Sequence, residues 1–198
     1  YSSYIGGSGM DWCTSIAVDG TGAAYIGGLT YSRDFPRKRA FQPALGGRHD
    51  GFVAKISPQG TDLVYSTYLG GSHEDRVQAL ALDGDGALVL AGQTASPNFP
   101  RKFAFQKSLG GLFDGFVAKL NATGSGLVFS SFFGGPASDN VQALALDGSG
   151  AAYLAGSTLG KIPVKNAFQV ARKGLFDAFV LKVEPEGRSV AYASYLGG

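Results

Sequence analysis

The stretch Tyr65-Ser66-Thr67-Tyr68-Leu69-Gly70-Gly71, "YSTYLGG", returns in this chain as "YSSYIGG" from Tyr1, "FSSFFGG" from Phe129 and "YASYLGG" from Tyr192. The spacings are 65 − 1 = 64, 129 − 65 = 64 and 192 − 129 = 63 residues. A fixed period of this length is the signature of a repeat architecture. Other phrases keep the same register: "AVDGTGAAYIGG", "ALDGDGALVLAG" and "ALDGSGAAYLAG", then "FPRKRAFQ", "FPRKFAFQ" and "IPVKNAFQ", then "DGFVAK", "DGFVAK" and "DAFVLK". Units at about 1–64, 65–128 and 129–191, with a closing strand at 192–198, account for the whole chain as a single segment.

Within a unit the apolar pattern predicts short strands between glycine-rich turns, with no sustained 3.6-residue period. Four strands are expected in the first unit, at 14–18, 24–29, 51–56 and 63–69. The first strand reads "VQALALD" in the later units, apolar or small throughout, as where both faces are covered. The fourth alternates aromatic and hydroxyl residues, as where one face is wet. Between the first and second strands, "DGTG", "DGDG" and "DGSG" supply the Asp and Gly of a tight hairpin. Repeated four-stranded antiparallel sheets with a small apolar inner strand predict an all-β fold, a β-propeller with three blades in this chain. A solenoid is the structural alternative, but its repeats are usually shorter. Residues 1–5 read as an orphan N-terminal outer strand of a blade the chain does not contain.

The linked phrases "YSTYLGG", "IAVDGTGAAYIGG", "DFPRKRAFQ" and "DGFVAKI" resemble the bacterial beta-propeller repeat called SBBP, the seven-bladed beta-propeller repeat. The likeness runs along the whole chain. Departures are Ile162 before Pro163, where the other units have Phe, and Lys173-Gly174, where they have Gly-Gly. The resemblance implies a secreted or cell-surface bacterial setting and no family-wide catalytic site. Propellers close with 4 to 8 blades, so the expected partners are further blades of a longer propeller or copies of the chain. Strand donation between copies, building a filament or ring, is the alternative.

Composition fits an extracellular all-β protein: 31 glycines, and charged residues at 16% against a usual quarter. No apolar run is long enough to span a bilayer. The single cysteine, Cys13, excludes an intrachain disulfide, and its repeat-mates Val77 and Val141 predict a small buried hydrophobe there.

Repetition filters the chemistry, because a catalytic site needs one asymmetric constellation. Asp19, Asp83 and Asp147 are expected to form turns. Structural roles are also expected for Asp50, Asp114 and Asp177, which receive loop or neighbouring-blade amides, and for Lys55, Lys119 and Lys182, whose stems cover apolar surface. Outside the repeat, His49 and His73 read as solvated loop residues. With Glu74 and Asp75 they make the only acid–base set on offer, for a polysaccharide lyase or hydrolase. Two histidines without a cysteine cluster make no zinc site, and "DGDG" lacks the later ligands of a calcium loop. No cofactor, metal or catalytic residue is assigned.

Of 17 basic residues, 12 fall in the three connections between second and third strands, accompanied by one acid, Asp34. Alternation of connections would gather them on one face of the disc, opposite an acidic face carrying Asp19, Asp83 and Asp147. Arg37, Lys38, Arg39, Arg101, Lys102, Lys161 and Lys165 are the candidate contacts to an anionic polymer, an acidic glycan or cell-wall polymer ahead of nucleic acid. Phe35, Phe41, Phe99 and Phe105 interleave with them as candidate stacking surfaces, although the recurrence of "AFQ" points to the second aromatic of each unit, Phe41 or Phe105, packing under its loop. The function expected is a non-catalytic scaffold or recognition module.

Overall fold

The computed structural model describes residues 1–198, and every regular element in it is a strand. One sheet holds β1 (Asp11–Val18), β2 (Ala24–Thr30), β3 (Asp50–Ile56) and β4 (Leu63–Leu69). A second holds β5 (Asp75–Leu82), β6 (Leu88–Thr94), β7 (Asp114–Leu120) and β8 (Leu127–Phe133), and a third β9 (Asp139–Leu146), β10 (Ala152–Thr158), β11 (Asp177–Val183) and β12 (Val190–Leu196). Each is an antiparallel meander in chain order, which the two-residue periodicity and the Asp-Gly turns dictate. Strand β5 packs across β1, β2 and β3, and β9 lies the same way on β5, β6 and β7. The sheets are successive blades of a β-propeller, with β1, β5 and β9 innermost.

Large apolar side chains fill the two spaces between blades. Tyr25, Val53, Tyr65, Val77, Leu80, Phe99 and Phe116 are buried in the first, and Val117, Phe129, Val141, Leu154, Phe179 and Leu181 in the second. Val77 is the wedge of its junction. A Cβ added to Gly27 or Gly51 would lie 2.9 or 3.0 Å from its methyls, and one on Gly115 2.7 Å from Val141. Glycine in the second or third strand of a blade is therefore the seat for the next blade's valine.

The inner strands begin at Asp11, Asp75 and Asp139, earlier than the apolar pattern predicts, because each aspartate is tied to the preceding loop. Gly7, Gly71 and Gly135 donate their N–H groups to these carboxylates at 2.8, 2.6 and 2.7 Å. The register then shifts between Cys13 and Ser15 and between Val77 and Ala79. This bulge brings the Trp12 and Arg76 carbonyls onto Gly28 and Gly92, where a Cβ would sit 1.8 and 2.0 Å from oxygen.

Residues 1–5 do not form the orphan strand that repetition predicts. A strand is held by its ladder, and here there is no sheet for them to join. They keep only the aromatic contact of their repeat position: Tyr1 covers Gly60 as Tyr65 covers Gly124 and Phe129 covers Gly187. Those glycines have φ of +73°, +69° and +68°, a conformation that also favours glycine.

The connections between second and third strands run differently from the sequence expectation. Instead of remaining at one end of the blade, each passes along the outermost strand as a belt. Lys38 and Ser66 exchange N–H···O bonds of 3.1 and 2.8 Å, Lys102 and Ser130 bonds of 3.2 and 2.8 Å, and Lys165 and Ala193 bonds of 3.0 and 2.8 Å. The recurrent "AFQ" glutamine locks the belt in the first two blades. Gln42 donates to Asp50 and accepts from the Gly70 amide, and Gln106 does the same with Asp114 and Gly134.

Candidate functional site

The belts carry the basic residues along the outermost strands β4, β8 and β12. The turn aspartates are neutralised where they stand. Asp19 accepts from the Thr21 and Ala23 amides and meets Lys55 Nζ at 3.1 Å; Asp83 meets Lys119 at 2.6 Å and Asp147 meets Lys182 at 3.3 Å. Lys55 and Lys182 also lie 4.6 and 4.8 Å from the ring centres of Tyr25 and Tyr153. The Thr21 hydroxyl foremost holds Asp19 well below the usual carboxylate range, and the Ser149 hydroxyl does so for Asp147. At Asp83 burial opposes ionisation, but Lys119 and two backbone amides outweigh it. With that ammonium on its carboxylate, the "DGDG" turn is an ion-paired hairpin.

Several belt cations are already bonded. Arg37 donates to the Pro43 carbonyl at 2.7 Å, Arg101 to that of Lys107 at 2.6 Å, Lys102 to that of Leu127 at 2.7 Å, and Lys165 to that of Val190. A lysine keeps two further donors in such a bond. Lys38, Arg39 and Lys161 are exposed. The aromatic partners differ from those expected: Phe35 and Phe99 are buried, wedged under their belts beside Phe52 and Phe116 with ring centres 4.5 Å apart. Phe103 and Phe168 are the exposed belt phenylalanines, and Phe103 lies 4.4 Å from the Arg188 guanidinium across the blade junction. Arg188 lies in a turn and has Thr61 and Ser125 as repeat-mates, so no repeated phrase singles it out.

Paired carboxylates lie between blades. Gly70 passes between Asp50 and Asp75, and Gly134 between Asp114 and Asp139; a Cβ at either position would lie within 2.7 Å of both acids. Asp50 accepts from the Gly46 and Gly47 amides, Asp114 from Gly110 and Gly111, and Asp177 from Lys173 and Gly174, so the Lys173 departure leaves that cradle intact. Asp75 accepts from Gly71, Thr94 and Ser96. Burial raises Asp50 and Asp139, and pushes Asp75 and Asp114 up to about 6, each helped by the acid across its glycine.

Of the acid–base set of the sequence, His49, Glu74 and Asp75 line one small pocket at the junction of the first two blades, and His73 stands outside it. His49 is buried rather than solvated, with its ring centre 4.7 Å from that of Tyr31 and its Nδ1 unpartnered; burial lowers its pKa. His73 is exposed and bonds Ser72 Oγ at 2.9 Å. Glu74 faces Arg48 at 3.4 Å, and the bonds to Asp75 hold the blade junction. Cys13, expected inside, is exposed. Its position is that of the wedge valines, but β1 forms a free flank, as do Ala155 and Ala178, the exposed counterparts of the glycine seats.

No helix is long and apolar enough to cross a membrane. No curated protein matches the chain. The family model of the beta-propeller repeat, SBBP, matches residues 1–36, which run from the Tyr1 phrase through β1 and β2 to the start of the first belt. The same phrases return in the two following blades, so the similarity to the beta-propeller repeat that residues 1–36 carry recurs along the chain.

Proposed function

We propose that this protein is a non-catalytic β-propeller scaffold and recognition segment, acting in a secreted or bacterial cell-surface setting and holding an anionic polymer against its rim. The observation that carries the reading is the belt. It places Lys38, Arg39, Lys102, Lys161 and Lys165 along the circumference, where the sole belt acid, Asp34, is itself engaged by Ser8. The repeated acids and lysines, by contrast, are consumed in turns and junctions. Contacts between surface cations and a polyanion weaken steeply with salt. Retention of the protein on immobilised polygalacturonate is expected at low ionic strength and is expected to vanish near ~0.5 M salt, well beyond the 0.1 M at which the screening length is already about 10 Å. Lys38→Glu with Arg39→Glu is expected to shift elution to lower salt; unchanged elution would remove the recognition half of the proposal.

Partners on the flanks are the second element. The exposed Cys13, Ile16 and Val18 on β1 and Ala155 and Ala178 on the opposite flank repeat the chemistry of covered junctions. Further blades or a second copy would seat Cys13 as Val77 is seated. Cys13 is expected to react with a maleimide at the rate of a free thiol in dilute protein, and to be protected wherever its flank is covered. Slow labelling of a particle shown to be monomeric by sedimentation would contradict the exposed flank.

A further inference from the structure

The recognition reading leaves the bound chemistry open, and one groove narrows it. Between the second belt and the third blade lies a cavity of about 550 Å³ lined by Phe105, Phe133, Pro163, Val164, Lys165 and Arg188 among nine residues, none acidic. Two departures from the repeat meet there. Val164 stands where the other belts carry Arg37 and Arg101, and Arg188 stands where the other turns carry Thr61 and Ser125. One exchange removes a guanidinium from the belt, and the other places one at the opposite lip. The Arg188 guanidinium is steadied by the Phe103 face at 4.4 Å, and Lys165 by the Val190 carbonyl. A largely apolar cleft of a few hundred Å³ with a few polar groups is the ordinary form of a small-ligand site.

We propose that this groove binds one uronate unit of an acidic saccharide, with the carboxylate on Arg188 and Lys165 and the C–H face of the ring over Phe105 and Val164. A planar guanidinium matches a carboxylate in bidentate fashion, and an apolar floor favours a ring with an aliphatic face over a bare inorganic anion. The assignment rests on the recognition reading and goes further by fixing one subsite at one junction.

Calorimetric titration with trigalacturonate, maltotriose and inorganic phosphate tests it. Trigalacturonate is expected to bind, with maltotriose and phosphate at least about tenfold weaker. Arg188→Ser restores the residue of the second blade and is expected to weaken trigalacturonate about tenfold or more. Val164→Arg restores the residue of the other belts; it adds positive charge to the rim, yet is expected to abolish binding by filling the groove. Stronger binding in Val164→Arg, or no change in Arg188→Ser, would overturn the groove while leaving rim recognition standing. Equal binding of maltotriose or phosphate would overturn the uronate assignment. Absence of trigalacturonate binding together with salt-independent elution from polygalacturonate would overturn both readings.

Discussion

Gly92→Ala is expected to destabilise the protein by about 3 kcal/mol, at the upper end of what overpacking costs. The added Cβ would lie 2.0 Å from the Arg76 carbonyl oxygen and 3.1 Å from the Gln78 amide nitrogen. Both are backbone atoms of the bulge in β5, and no rotamer change relieves the contact. The bulge also sets the register that points Val77 into its seat, so the damage reaches the junction between blades one and two. Gly84→Ala is the control, since nothing lies within 4 Å of its Cβ position; it is expected to change stability by less than about 0.5 kcal/mol. Urea unfolding of the two variants makes the comparison, and equal midpoints would refute the close approach.

The second large effect is on pH. Asp75 and Asp114 are raised to about 6 by burial, whereas an unfolded aspartate titrates near 3.9. Between these values the folded protein holds protons that the unfolded chain has released, so folding is favoured by acid there. This contribution is complete below about pH 4 and is lost as pH rises through 6. At about 1.4 kcal/mol for each tenfold difference in proton affinity between folded and unfolded chain, each site accounts for at most about 3 kcal/mol. Asp19, Asp83 and Asp147 act in the opposite sense. Their depressed pKa values stabilise the fold above the unfolded value, and that contribution is lost as pH falls below it. Maximum stability is therefore expected near pH 4 to 5, with a fall toward neutrality. Thermal midpoints from pH 3 to 8 read this directly. Asp75→Asn is expected to flatten the descending limb, and a midpoint that rises from pH 5 to 7.5 would sink the account.

The architecture was legible because local signals and long-range packing repeat together. The Asp-Gly turns, the small inner strand and the recurrent phrases each say the same thing three times. What escaped was whatever depends on a neighbour. Cys13 shares its position with buried valines, yet a flank decides its exposure, and no residue within one unit encodes that. The belts pair through a few backbone groups on polar, proline-containing loops, so they leave no alternating pattern. Phe35 and Phe99 sit among charges in sequence but under the belt in space. His49 gained burial from Tyr31 packed against it. Arg188 meets Phe103 across 85 residues (188 − 103), a contact visible only once the blades are placed side by side. Its signal was present all the same, as a break in the repeat at a position where threonine and serine are the rule.

The belts have a consequence for how such material accumulates. An uncovered outermost strand invites identical chains to stack edge on edge into ribbons. Here the rungs at Ser66, Ser130 and Ala193 are already satisfied from within, so lateral growth first requires peeling a loop away. Edge-on stacking into ribbons is disfavoured to that extent, because a second chain would have to displace the belt before it could pair with these rungs.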